Sequence, residues 1–156
     1  MSRRRKAKKR IISADPVYNS PLVNMIVNRI MKHGKKALAY RTLYEALEAL
    51  EQKTKEPPMK TLQKACDNVT PKVEVKARRV GGSALQIPLE VKAERGLVLA
   101  IQWILAAARA RSGPSFVAKL KDELLDASKN TGAAIKRRND VKRMADANKA
   151  YARFRF

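Results

Sequence analysis

The side chains that most often carry catalysis are scarce and scattered in this sequence. Histidine, the usual proton carrier near neutral pH, occurs once, as His33. Cysteine also occurs once, as Cys66, on an apolar helical stripe, so we expect a buried packing residue rather than a nucleophile. The carboxylates follow no metal-ligand spacing. We therefore expect no catalytic residue, no metal site, no cofactor and no small-molecule substrate.

Two glycine-containing segments match phosphate-binding loops only in part. Gly34-Lys35-Lys36 lacks the upstream glycine of the Walker pattern, because position 29 is Arg. Gly81-Gly82 lacks the rest of the dinucleotide fingerprint. Neither segment predicts a nucleotide-dependent enzyme.

The charge balance indicates a polyanionic partner. The 156 residues include 35 Lys and Arg against 14 Asp and Glu, a formal charge of +21. Self-repulsion of this size opposes compaction unless it is neutralised. Contact with phosphates releases counterions and drives nucleic-acid binding without base recognition. A membrane surface is the alternative, but no segment reaches the roughly 20 apolar residues of a membrane span, and we expect no membrane partner.

The cations fall into four separate elements of the chain. The first is a basic arm, residues 1–12, which we expect to be disordered alone and to be retained rather than removed as a targeting signal. The others are a lysine pair at 35–36, a predicted β-hairpin, and a basic last helix that continues through Lys142. The predicted contacts in these elements are Arg3, Arg4, Arg5, Lys6, Lys8, Lys9, Arg10, Lys35, Lys36, Lys76, Arg78, Arg79, Lys136, Arg137 and Arg138.

Helical periodicity predicts the body that positions these elements. Apolar residues recur at helical spacing in three segments between Pro21 and Pro71, the first of which we expect to stop at Gly34. Three further helices follow from Leu97, the first of them apolar nearly all round and therefore central. Glu45, Glu48 and Glu51 form an acidic stripe on the second helix. We expect that stripe to point away from any phosphate backbone. The prediction is a mainly α protein with a single helical domain over residues 13–156.

Between residues 73 and 91 the apolar pattern changes to strict alternation, which predicts a protruding two-stranded β-hairpin. If the apolar residues of both strands share one face, Val75 pairs with Leu89. That pairing requires an odd loop, such as residues 81–83, or a bulge. A two-residue turn would instead place Ala77 opposite Gln86 and mix the faces.

Several segments of the chain resemble one known family. They are DPVYNSPLVNMIVNRIMKHGKKALAY (15–40), VTPKVEVKARRVGGSALQIPLEV (69–91), AIQWILAAARAR (100–111) and the end, RRNDVKRMADANKAYARFRF (137–156). Together they are similar to the bacterial and organellar family of small-subunit ribosomal protein seven. The match extends over essentially the whole chain in order and spacing.

The resemblance implies a non-enzymatic protein with a body of about six helices and a protruding hairpin. It implies direct binding to the 3′ major domain of small-subunit ribosomal RNA and nucleation of head assembly. Transfer RNA in the exit site, the messenger path and ribosomal proteins nine and eleven are the implied neighbours. The implied compartment is the bacterial cytoplasm or the plastid stroma.

Carried over by position, the resemblance adds Arg109 and Arg111 to the residues that contact ribosomal RNA. The implied residues near transfer RNA are Val80, Gly81, Gly82, Ser83, Ala84, Leu85, Arg143, Tyr151 and Arg153. Two other classes stay open: a nucleoid-type DNA-compacting protein and, more remotely, an RNA-modifying enzyme with an external cofactor. An enzyme requires a pocket with convergent polar groups, whereas a ribosomal protein requires convex basic surfaces.

Overall fold

The structure is a computed structural model, and it describes residues 10–80 and 82–154. This part of the chain contains six α-helices, a β-hairpin between the third and fourth helices, and a short 3-10 helix after the sixth. The helices are α1 (Pro21–Ile30), α2 (Lys36–Thr54), α3 (Pro58–Val69), α4 (Ala93–Ala110), α5 (Phe116–Ser128) and α6 (Ala133–Ala147); the strands are β1 (Val73–Val80) and β2 (Ser83–Glu90); the 3-10 helix is Lys149–Phe154. The predicted mainly α fold with a hairpin is confirmed.

Buried apolar stripes hold the helices together, as their periodicity predicts. Helix α5 packs against α2, α3 and α4, and its Leu120 and Leu124 are almost fully buried. Helix α4 contacts α1, α3, α5 and α6, in keeping with the apolar sequence that predicts a central helix. None of the helices in the described ranges combines the length and apolar composition needed to cross a membrane.

Proline marks two helix starts correctly, whereas glycine misplaces one helix end. Helices α1 and α3 begin at Pro21 and Pro58, because the fixed φ of proline and its missing N–H suit the first helical position. Helix α1 ends at Ile30, so the expected stop at Gly34 is wrong by one turn. The segment that joins α1 to α2 contains a turn in which His33 and Gly34 both adopt positive φ.

The hairpin has a different register from the expected one. Val75 lies opposite Pro88 and Ala77 opposite Gln86, so the expected pairing of Val75 with Leu89 is wrong. Only two residues separate β1 from β2, and Gly82 adopts a φ of +87°, which such tight turns require. As a result, each face of the hairpin carries both apolar and charged residues.

The two ends of the hairpin differ in burial. Ile87 and Pro88 near its base are buried, and the hairpin contacts α6 and the 3-10 helix. Arg79, Gly82 and Ala84 near its tip are exposed. Mixed faces are therefore tolerated, because none of the described side chains in the outer half of the hairpin is buried, so no buried face enforces alternation there.

Candidate nucleic-acid interface

The lysine pair lies at the start of α2, where positive charge does not help the helix. Lys35 precedes the first helical residue, Lys36, and both side chains are exposed. Cations at a helix N-terminus oppose the helix dipole, so the dipole does not favour the pair there. The Lys36 Nζ lies 5.6 Å from the centre of the Tyr40 ring, within range of a cation–π contact. The pair is available to an external anion.

The hairpin presents cations on both of its faces. Lys76 and Arg78 lie on the face that also carries Leu85 and Ile87, whereas Arg79 lies on the other face. Lys76 and Arg79 are exposed, and Arg78 is half-buried. A polyanion could therefore contact the hairpin from either side.

Helix α6 exposes further cations. Lys136, Arg137 and Lys142 are exposed. Arg143 is exposed as well, and its Nη2 donates to Asp140 Oδ1 at 2.5 Å. Beyond α6, Tyr151 and Arg153 of the 3-10 helix are exposed.

Some of the predicted contacts lie outside the described residues. These are Arg3, Arg4, Arg5, Lys6, Lys8, Lys9 and Gly81, together with the side chains of Val80 and Ser83. Arg10 at the end of the arm is exposed, and Leu85 is half-buried.

The segment that joins the arm to the body is fixed by buried polar groups. Asp15 is 1% exposed, and its carboxylate accepts the N–H groups of Val17 and Tyr18 and the hydroxyl of Tyr44, the last at 2.6 Å. Burial and the Asp15 hydrogen bond raise the pKa of Tyr44 above its usual value. Asn24 of α1 donates to the backbone oxygen of Ser13 at 2.9 Å. This Asp15 anchor sets the point from which the arm leaves the body.

Arg111 differs from the exposed cations because carboxylates surround it. Its Nη2 donates to Glu123 Oε2 at 2.8 Å and to Asp126 Oδ2 at 2.5 Å. The hydrogen bond to Asp126 raises the Arg111 pKa, although burial opposes this, and the bond to Glu123 raises it further. The other oxygen of Glu123, which is fully buried, accepts the N–H of Ala134 at 2.9 Å. We call Arg111, Glu123, Asp126 and Ala134 the α5–α6 junction.

Gly132 leaves room for the α5–α6 junction. It precedes α6 with a φ of +94°, a conformation that other residues rarely adopt. A Cβ at this position would come within 3.1 Å of Glu123 Oε1. The loop therefore requires glycine both for its backbone angle and for space beside the buried carboxylate.

Arg138 and Arg109 also bond within the protein. Arg138 Nη1 donates to the Asn68 backbone oxygen, and its Nε and Nη2 donate to Asn139 Oδ1 at 3.1 and 2.9 Å. Arg109 is exposed, and its Nη2 donates to the Arg29 backbone oxygen at 3.2 Å. Arg138 thus holds α6 against the end of α3, and Arg109 links α4 to α1.

Asn68 is a structural residue that sequence reasoning missed. Its Nδ2 donates to the backbone oxygens of Ala127 and Ser128, both at 3.0 Å. These are carbonyls of the last turn of α5, where the regular helical hydrogen bonds end; the Ala127 oxygen also accepts the Asn130 N–H at 3.1 Å. Asn68 and Arg138 together connect the ends of α3 and α5 with α6. An asparagine near a helix end carries no signal for partners about sixty residues away.

The acidic stripe on α2 is exposed, as its spacing predicts. Glu45, Glu48 and Glu51 all reach the surface, and Arg41 Nε lies 4.0 Å from Glu45 Oε1. Burial raises the pKa of Tyr18, and the charges of Glu51, Asp15 and Glu48 raise it further. These exposed carboxylates make this face of α2 unfavourable for contact with a phosphate backbone.

The catalytic candidates are unsuited to chemistry where the structure places them. Cys66 is 1% exposed, and burial, with the charge of Asp67, raises its pKa to about 12, so the thiol stays protonated at neutral pH. His33 lies in the exposed turn after α1. Within the described ranges, no cluster of three or more His, Cys, Asp or Glu could hold a metal ion. Exposed cations on several elements around an apolar core define the class as a strongly basic, mainly helical protein.

Comparison with known proteins assigns the family. The model of the family described as ribosomal protein S7p/S5e matches residues 2–149. The chain is 63% identical to small ribosomal subunit protein uS7c of Tupiella akineta and 56% identical to that of Ostreococcus tauri. It is 52% identical to small ribosomal subunit protein uS7 of Acaryochloris marina, and each match covers 100% of both chains. The protein belongs to the ribosomal protein S7p/S5e family, and it is a structural ribosomal protein rather than an enzyme.

Proposed function

We propose that this protein is a constituent of the small ribosomal subunit that binds ribosomal RNA directly. The observation that carries the proposal is the exposed cation set, comprising Lys35, Lys36, Lys76, Arg79, Lys136 and Arg137. All six are exposed, and within residues 10–80 and 82–154 none of them forms an ion pair. Unpaired surface cations on three separate elements suit a folded polyphosphate with an irregular surface.

The finer proposal follows the family resemblance. The RNA target is the 3′ major domain, and binding there nucleates assembly of the head. The arm, residues 1–12, contacts RNA, and residues 13–156 form the single helical domain that carries the other contacts. The hairpin tip and the segment from Arg143 to Arg153 lie near exit-site transfer RNA and the messenger path. Ribosomal proteins nine and eleven are the neighbours, and the compartment is the bacterial cytoplasm or the plastid stroma, as the names of the relatives suggest.

Binding to two nucleic acids at matched salt tests the proposal. The full chain is titrated with a transcript of the 3′ major domain and with duplex DNA of equal phosphate content. We expect tighter binding to the transcript, with log K falling by roughly 0.7–0.9 per neutralised phosphate as log salt rises. Co-sedimentation with small subunits is the second measurement. Equal affinity for both nucleic acids, without co-sedimentation, would overturn the proposal in favour of a DNA-compacting protein.

A further inference from the structure

A groove of about 490 Å³ lies between α6 and the linker that joins α3 to β1. Pro71 and Val73 contribute its apolar surface, and Lys72, Arg138 and Lys142 contribute its cations. Pro71 is buried and Val73 half-buried, so the apolar surface forms the floor. Lys72 and Lys142 are exposed and form the rim. The volume falls within the range of about 300–1,000 Å³ that is typical of small-molecule sites.

Helix geometry and one arginine define the shape of this α3–α6 groove. Arg138, Lys142 and Asp146 recur every four residues on α6, so they share one face of the helix, and that face lines the groove. The Arg138 hydrogen bond to the Asn68 backbone oxygen fixes this face against the end of α3. The guanidinium thus sets the width of the groove, while the two lysines stay available.

The charge in the groove is positive but not uniform. Lys72 and Lys142 form no ion pair within the described part of the chain, and Arg138 adds a third positive charge. Asp146 is exposed at the rim and contributes the single carboxylate. A carboxylate repels phosphate, but it accepts hydrogen bonds from amino groups such as that of cytosine.

We propose that the α3–α6 groove holds one unpaired nucleotide of the bound RNA. Its phosphate lies between Lys72 and Lys142, its base covers Pro71 and Val73, and a base amino group donates to Asp146. Adenine, cytosine and guanine have such an amino group, and uracil does not. The groove therefore prefers an amino-bearing base.

Two features favour a nucleotide over an acidic peptide as the occupant. The groove is built from the same elements as the exposed cation set, because α6 also carries Lys136 and Arg137 and the linker leads into the strand that carries Lys76. The apolar floor also suits a base, which has a face that packs on apolar surface and an edge with hydrogen-bonding groups. An acidic peptide would gain little from the floor and would be repelled by Asp146.

The inference rests on the proposed RNA binding, and the test separates the two. The full-length double variant Lys72→Ala/Lys142→Ala is compared with Lys60→Ala/Lys64→Ala, which removes two exposed lysines from α3. We expect the first variant to bind the 3′ major domain transcript on the order of tenfold more weakly, the loss expected when a hydrogen bond to a charged group is removed. Chemical probing should show one adenine, cytosine or guanine that the wild type protects and this variant exposes. The control variant should keep that protection.

Asp146→Ala, which removes the acceptor oxygens, provides a second readout that does not depend on positive charge. It should weaken protection of the same base while leaving the salt slope unchanged, because Asp146 contacts no phosphate. The thermal midpoint of each variant verifies folding. If Lys72→Ala/Lys142→Ala keeps wild-type affinity and protection, the inference is overturned while RNA binding stands. If this variant loses affinity for a poly-glutamate peptide but not for the transcript, the inference is overturned in favour of an acidic peptide partner. Failure of the wild type to bind the transcript would remove both proposals.

Discussion

Arginines at the α5–α6 junction and in the hairpin have opposite environments, although both groups resemble RNA contacts in the sequence. Arg111 donates to two carboxylates, one of which is fully buried. Arg79 is exposed and has no ion-pair partner in the described residues. The residue type is the same, and the difference lies in whether the fold brings an acceptor within reach. In a strongly basic protein, the cations that stabilise the body and those left for a ligand are therefore distinguished by tertiary structure.

The largest expected effect comes from removing the buried carboxylate of the junction. Glu123→Ala leaves Arg111 with one carboxylate and the Ala134 N–H without its acceptor. Hydrogen bonds to charged groups contribute about 1.5–3 kcal/mol each, and the variant loses those from Arg111 and Ala134, so we expect the free energy of unfolding to fall by about 3–5 kcal/mol. Urea unfolding without RNA measures it. Glu51→Ala, on the exposed stripe, serves as the control and should change stability by less than about 0.5 kcal/mol. Equal losses in the two variants would contradict the structural role of the junction.

The next prediction contrasts the two arginines directly. Arg111→Ala should lower the free energy of unfolding by about 3 kcal/mol, the lower end of the cost of leaving a buried charge unpaired, because the buried Glu123 carboxylate keeps only the Ala134 N–H, and it should leave the salt slope of RNA binding unchanged. Arg79→Ala should leave stability within about 0.5 kcal/mol and reduce the salt slope by roughly 0.9. Urea unfolding and salt titrations of both variants test this. A reduced slope for Arg111→Ala would show that it contacts phosphate, as the family resemblance implies.

The smallest expected effect concerns an exposed ion pair. Lys53 Nζ lies 3.3 Å from Asp122 Oδ1, at a surface where such pairs contribute about 0–1 kcal/mol. Burial alone would raise the pKa of Asp122, but the Lys53 hydrogen bond and the charge of Lys121 outweigh it and lower the pKa below 3.8. The stabilisation is therefore present above pH 3.8 and is lost as the pH falls through the lowered pKa. Lys53→Ala should reduce this acid dependence, measured as thermal midpoints between pH 2 and 7. If the acid dependence of the thermal midpoint is unchanged in this variant, it arises from other carboxylates.

The helices could be predicted because their signals are local. Apolar residues at helical spacing identify the buried stripes, and proline identifies the starts of α1 and α3. The hairpin was predictable as an element, but its register was not. Alternation predicts register only where one face is buried along the whole strand, and among the described side chains of the hairpin only Ile87 and Pro88 are buried.

The candidate interface was predictable as a set of basic elements but not residue by residue. Exposed lysines such as Lys36 and Lys136 follow from the charge pattern alone. The internal bonds of Arg138 could not be predicted, because Asn68 is 70 residues away in sequence. For the same reason, nothing in the local sequence around Lys72 indicates a binding site, since the groove that it lines exists only once α6 packs against the end of α3. The spacing of apolar residues along the chain does not predict contacts between distant segments.

The Asp15 anchor has a mechanical consequence for the residues that precede it. A chain spans at most about 3.6 Å per residue, so residues 1–12 reach no farther than about 43 Å from this fixed attachment. Tethering confines their seven positive charges to a small volume beside the body, and such confinement raises local concentration into the millimolar range for short linkers. If the arm contacts ribosomal RNA as proposed, it would meet neighbouring phosphates by an intramolecular search rather than by a second diffusional encounter.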